Sequence, residues 1–150
     1  MKHFKATATA LVACFFFAAC SGEKSHTPLE GARPLSGCPT LPENAGLAWQ
    51  QSRLEHGITC YALRPDGTIA FGLWAGTTRV DMPRDATFIA AGQVAGIPVR
   101  WVRKKSDTSR QAHASLSNGL QLHAFVPDLP RATLQERLGV LSALALRSAP

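Results

Sequence analysis

Two histidines, His113 and His123, stand symmetrically about Asn118 in a stretch that reads as a hairpin. If the chain folds back there, they lie directly opposite each other. Cross-strand neighbours have Cβ atoms about 5 Å apart, close enough for two neutral imidazoles to share zinc, copper or nickel. A tight zinc site takes at least three protein ligands, and no third is suitably spaced. The competing reading is a pair of solvated histidines on an exposed sheet face. A second cluster is basic: Arg103, Lys104, Lys105 and Arg110 surround one predicted turn, with Arg100 nearby. Such a cluster suits an acidic protein, a lipid phosphate or an anionic glycan, or it merely keeps a turn soluble. Trp49, Trp74 and Trp101 are candidates for a ligand pocket or interface, with core packing as the alternative.

Catalytic patterns do not stand out. There is no Gly-x-Ser-x-Gly elbow, no His-Glu-x-x-His and no phosphate-binding loop. Ser115 between the two histidines suggests a triad, but residues along a strand either point to opposite faces or, when they share one, sit poorly for an in-line relay. The 10 carboxylates are scattered without an acid/base pair. We expect no enzyme activity and no cofactor.

Hairpins must position these residues. Ile58 to Leu63 and Thr68 to Trp74 flank Arg64-Pro65-Asp66-Gly67, a turn sequence. A three-residue loop pairs Leu63 with Ile69, Tyr61 with Phe71 and Thr59 with Leu73. That leaves the small residues Cys60, Ala62, Ala70 and Gly72 on the other face. A second hairpin turns at Ala95-Gly96, pairing Val94 with Ile97, Gly92 with Val99 and Ala90 with Trp101. Pro98 lacks an N–H, which suggests a sheet edge at that point. In the third, a loop over Ser117 to Gly119 pairs Leu116 with Leu120, Ala114 with Leu122 and Ala112 with Ala124. One face is then wholly apolar, and the other carries Gln111, His113, Ser115, Gln121 and His123. A one-residue slip would flip every side chain, so this register is the expected one. Leu47 to His56 is ambiguous between strand, helix and irregular chain. Gly76 to Asp85 reads as a connection or edge strand. The chain ends in a helix with a capping box at Thr133-Leu134-Gln135-Glu136 and an inward face of Leu134, Leu138, Leu141 and Ala145. The expected fold is α+β: a small antiparallel sheet built of hairpins, with the C-terminal helix packed on one face.

The N-terminus carries the address. Lys2 and Lys5 precede an uncharged run from Ala6 to Ala19, a signal layout. At about 14 residues it is shorter than the roughly 20 needed to span a bilayer. Phe17-Ala18-Ala19-Cys20-Ser21-Gly22 resembles the lipobox of bacterial lipoproteins, with Phe17 where that family prefers an aliphatic residue. The resemblance covers residues 1–22 only. It implies removal of residues 1–19, acylation of Cys20 by diacylglyceryl and fatty acyl (palmitate-type) chains, and a membrane anchor. A rival box, Leu11-Val12-Ala13-Cys14, would leave a very short apolar region and keep three phenylalanines on the mature chain. Two or three acyl chains hold a protein far more firmly than one. Ser21, rather than Asp, after the cysteine implies the outer membrane, on its periplasmic side.

That compartment is oxidising, so the remaining cysteines, Cys38 and Cys60, are expected to form a disulfide, leaving no free thiol as a nucleophile. Residues 20–37 form the lipidated cysteine and a Pro-, Gly- and Ser-rich tether, and 38–150 a single periplasmic domain. The formal charge of +6 includes Lys2 and Lys5; what remains is too mild for nucleic-acid binding. The expected role is that of a lipid-anchored envelope protein acting by contact with a protein partner. An inhibitor or immunity-type lipoprotein, and a carrier of metal or a small anion, are the alternatives.

Overall fold

The computed structural model describes residues 35–82, 84–105 and 108–146. The signal segment, Cys14 and Cys20 lie outside them, as does most of the expected tether. Leu35 is already packed in the core and Arg53 donates to the Ser36 carbonyl, so ordered packing begins before Cys38.

Among the described residues, seven strands form one antiparallel sheet, followed by one α-helix. The strands are β1 (Ala48–Leu54), β2 (Gly57–Leu63), β3 (Ile69–Gly76), β4 (Ala86–Val94), β5 (Ile97–Lys104), β6 (Arg110–Ser115) and β7 (Gln121–Val126); α1 is Arg131–Ser142. Their spatial order is β1-β2-β3-β7-β6-β5-β4. This is the expected α+β architecture of hairpins and a C-terminal helix. The ambiguous Leu47–His56 stretch is edge strand β1 plus a tight turn, with Leu54 opposite Gly57.

Two hairpins adopt the expected registers. β4 and β5 pair Val94 with Ile97, Gly92 with Val99 and Ala90 with Trp101. Ala95 and Gly96 both take positive φ, 51° and 74°, as a two-residue hairpin turn demands. Pro98 lies beyond the β5–β6 pairs, which run from Arg100 to Arg103, so its missing N–H costs no ladder bond. β6 and β7 pair Ala112 with Ala124 and Ala114 with Leu122, closed by the Leu116 N–H donating to the Leu120 carbonyl at 2.8 Å.

The first hairpin departs from expectation. Leu63 does pair with Ile69, but a bulge at Ala70 shifts the rest: Ala62 faces Phe71, Cys60 faces Leu73 and Ile58 faces Ala75. An extra residue on one strand reverses which side of the partner its neighbours meet. Ile58, Cys60 and Ala62 therefore join Phe71, Leu73 and Ala75 in the core. Tyr61 turns to the opposite face, edge-on to Phe125. Cys60 bonds Cys38, with a Cα–Cα distance of 5.8 Å, and the segment carrying Cys38 covers that end of the core. Gly72 does not share this cover; it lies under the Phe125 ring.

The helix also differs in detail. It starts at Arg131, directly after Pro130, without a side-chain cap. Thr133 lies inside the first turn and forms no capping box. A proline at the boundary already sets the entry and lacks a donor. Leu134 and Leu141 are buried, whereas Ala145 lies beyond the helix end, exposed, and bridges Thr40; Leu144 is buried in its place. Arg137 also faces inward, pairing with Glu136 at 3.3 Å. The Ala95 and Gly96 amides donate to the Leu141 and Ser142 carbonyls. These are helix-end acceptors that otherwise have no intrahelical partner, so the β4–β5 turn clamps the helix to the sheet.

A Cβ on Gly72 would sit 1.9 Å from the Phe125 ring, while one on Gly139 in α1 would meet nothing within 4 Å. Gly72→Ala should therefore lower stability by about 1–3 kcal/mol and Gly139→Ala raise it by about 0.5–1 kcal/mol. Denaturant titration of both variants checks this; equal effects would contradict the close approach of Phe125.

Candidate functional site

The sheet has two unlike faces. The helix and the Cys38 segment cover one, burying Phe71, Leu73, Trp101, Leu122 and Val126 among others. The other is crossed by the β3–β4 connection, residues 77–85. It must pass three strands, since β4 lies at the far edge from β3. Its residues Arg79 to Met82 line a hollow with His113, Ser115 and Gln121. Thr77 and Thr78 are buried, and the Thr77 amide donates to the His56 carbonyl at 2.8 Å. This connection is what became of the stretch read as connection or edge strand.

Successive pairings set one straight row across this outer face: Thr59, Trp74, His123, His113, Arg100, Ala91. His113 and His123 are directly opposite, as the hairpin register requires. They are not solvated on an exposed face. Both are half-buried, and their rings stack at 4.1 Å with planes 10° apart. Three of their nitrogens, His113 Nδ1 and Nε2 and His123 Nε2, are buried and have no hydrogen-bond partner. Burial makes charging them costly. It pushes the His123 pKa down to about 4, helped by repulsion from His113, and it lowers that of His113. The row therefore holds two neutral imidazoles at neutral pH.

Stacked rings are poorly arranged for chelation. Lone pairs lie in the ring planes, so parallel rings aim them side by side, and one ring would have to turn to share a metal at about 2.0–2.1 Å. Among the described residues, no group of three or more His, Cys, Asp and Glu is placed to hold a metal ion.

The basic residues do not form one patch. Alternation along β5 puts Arg100 and Lys104 on the outer face and Arg103 on the helix side. Arg103 stands opposite Arg110, whose guanidinium lies 3.4 Å from Asp128. Lys105 is exposed in the turn. Arg100 instead lies over the Phe88 ring, 4.7 Å from its centroid, a cation–π contact. Of the tryptophans, Trp101 is core, Trp49 packs edge-on to Phe71 and donates to the Pro39 carbonyl, and Trp74 joins the outer row.

A larger hollow, about 670 Å³, lies beside the histidines and is lined by Met82, Phe88, Ala91, Pro98, Arg100 and His113 among others. The sequence reading missed Met82 and Phe88. The available signal was the failed alternation in Ala86–Val94, where Phe88 and Ile89 are both apolar and exposed. The bulge at Ile89 explains it.

No family model matches this chain, and no curated protein or solved structure matches it. Among the described residues no helix is long and apolar enough to cross a membrane.

The histidine pair makes stability pH-dependent. Its folded pKa values lie below the unfolded value of 6.5, so stability is complete above pH 6.5 and falls as the unfolded chain takes up protons first. For His123 the loss amounts to about 2 kcal/mol at pH 5. Urea titrations at pH 7 and pH 5 should show this difference, and it should shrink in His123→Gln; an unchanged difference would mean that other groups carry it.

Proposed function

We propose that this protein is a lipid-anchored component of a bacterial envelope, held through Cys20 at the periplasmic face of the outer membrane, and that it acts by binding a protein partner. The signal layout and lipobox resemblance support the anchor. The contact role rests on one observation, the open edge of the sheet. Among the described residues, β4 ends the strand order with one side unpaired. It is 9 residues long, carries neither charge nor proline, and exposes Phe88 and Ile89, 51% and 42% accessible. Proteins usually blunt such an edge with charge, proline, a bulge or a covering element, and here the bulge at Ile89 blunts only the first half of the strand. An edge left in this state suits strand addition by a partner, with main-chain hydrogen bonds for affinity and alternate side chains for specificity.

The bulge at Ile89 interrupts the edge and confines regular pairing to the stretch from Ala90 to Val94. The basic turn at Lys104 and Lys105 sits at the other end of β4, opposite Ala86, where it favours an acidic flank on the partner. An inhibitor or immunity-type lipoprotein uses the same contact logic, its partner being an incoming enzyme.

Two measurements test the reading. Labelled palmitate should enter the wild-type chain and not Cys20→Ser, which should leave the membrane fraction; membrane retention without label would overturn the anchor. A photo-crosslinker at Ala90 should give a discrete adduct in intact cells that Gln93→Pro removes, while one at Ser52 on the opposite edge should not. Identical adduct patterns from both edges would overturn the assignment to β4.

A further inference from the structure

We propose that the hollow lined by His113, Arg100 and Phe88 is a binding site for a planar aromatic anion, such as an aromatic carboxylate, which slots against the β5-facing side of the His113 ring and pairs its charge with Arg100. This goes beyond the edge contact of β4 and does not depend on it.

The stack defines the slot. His113 and His123 stand on neighbouring strands with parallel rings 4.1 Å apart, so the vector between the rings runs across the strands. The second face of His113 is therefore turned toward β5, over which the hollow lies. On the far side, on β4, stands Phe88 with the Arg100 guanidinium over its ring. Phe88 lies two strands from His113 and, being paired with Val102 rather than Arg100, is offset along the strands from the row that holds His113. A flat ring placed against His113 continues a series of stacked groups that already runs through His123 and His113. Pro98, Val102 and Ala91 form an apolar floor, and Met82 from the crossing connection forms a rim.

Size and charge fit the same ligand. The hollow's roughly 670 Å³ falls in the range of small-molecule sites, which combine apolar walls with a few polar groups. Among the described residues that line it, Arg100 is the one that is formally charged, and none is acidic. Asp81 belongs to the smaller hollow, which shares Met82 with this one. An anion gains a charge-assisted hydrogen bond from Arg100; a cation meets only repulsion. The ligand would also cover Phe88 and Met82, both substantially exposed. The neutral imidazoles supply an aromatic wall without competing for the anion.

Titration of the full-length protein with 2-naphthoate, followed by calorimetry and by the His113 ring-proton resonances, tests this. We expect saturable binding with an upfield ring-current shift of the His113 protons. Arg100→Gln should weaken naphthoate about tenfold or more and leave the neutral isostere 2-naphthalenemethanol within about twofold. Ala91→Trp, which fills the floor, should abolish binding of both. No saturable binding, no shift at His113, or equal loss of both compounds in Arg100→Gln would overturn the site. Should Ala91→Trp fail to fold, the His113 shift and the Arg100→Gln comparison decide the question alone.

Discussion

The pairing of β3 with β7 joins two separate antiparallel units, β1–β2–β3 and β4–β5–β6–β7, into one sheet. Gly72 faces Phe125 in this pairing, and the phenyl ring occupies the space that any side chain at Gly72 would need. Leu73 meets Ala124 and Ala75 meets Leu122 on the helix side, so the same pairing closes the core. Because β3 pairs with the last strand rather than the next one, the chain leaving β3 must travel to the far edge before β4 begins. The crossing connection, the covered histidines and the open β4 edge all follow from that one adjacency.

The two faces of the sheet are held by different physics. On the helix side, large apolar residues pack under α1 and the Cys38 segment, and the disulfide ties that segment down. Among the described residues no helix lies on the outer face. It is filled by rings set side by side across strands: Tyr61 against Phe125, Trp74 beside His123, His123 on His113 and Phe88 under Arg100. Rings of this kind tolerate partial solvent contact because their bodies are apolar and several carry a polar edge. The cost falls on the imidazole nitrogens, which give up hydration without a partner, and it is contained by keeping the rings uncharged.

Much of the fold was legible where one hairpin decided its own geometry. The third hairpin shows why. Only a three-residue loop made one face of Ala112–Ala124 wholly apolar, and a slip by one residue would have been costly. Ala95-Gly96 was equally local, and the disulfide was expected from the cysteine number together with the compartment that the lipobox resemblance implies. The first hairpin was misjudged because its bulge has no local signature: Ala70 is an ordinary strand residue, and only its burial in the assembled core marks it. The helix start was misplaced because Thr133 suits a cap, while Pro130 had already set the boundary. The basic cluster looked continuous along the chain and was divided by strand alternation, which sends Arg100 and Arg103 to opposite faces.

By itself the sequence determined the pairing within the hairpins at Ala95-Gly96 and Ser117–Gly119, the opposition of His113 and His123, the closing helix and the cysteine pair. These depend on turn chemistry, periodicity and composition, which act over a few residues. Only the tertiary structure decided that β3 lies beside β7, that the polar face of β6–β7 is covered rather than wet, and that Arg100, Phe88 and His113 line one hollow. Those outcomes depend on which distant segments come to share a face. That is settled by the packing of the whole sheet, because burial acts between residues without regard to their separation along the chain.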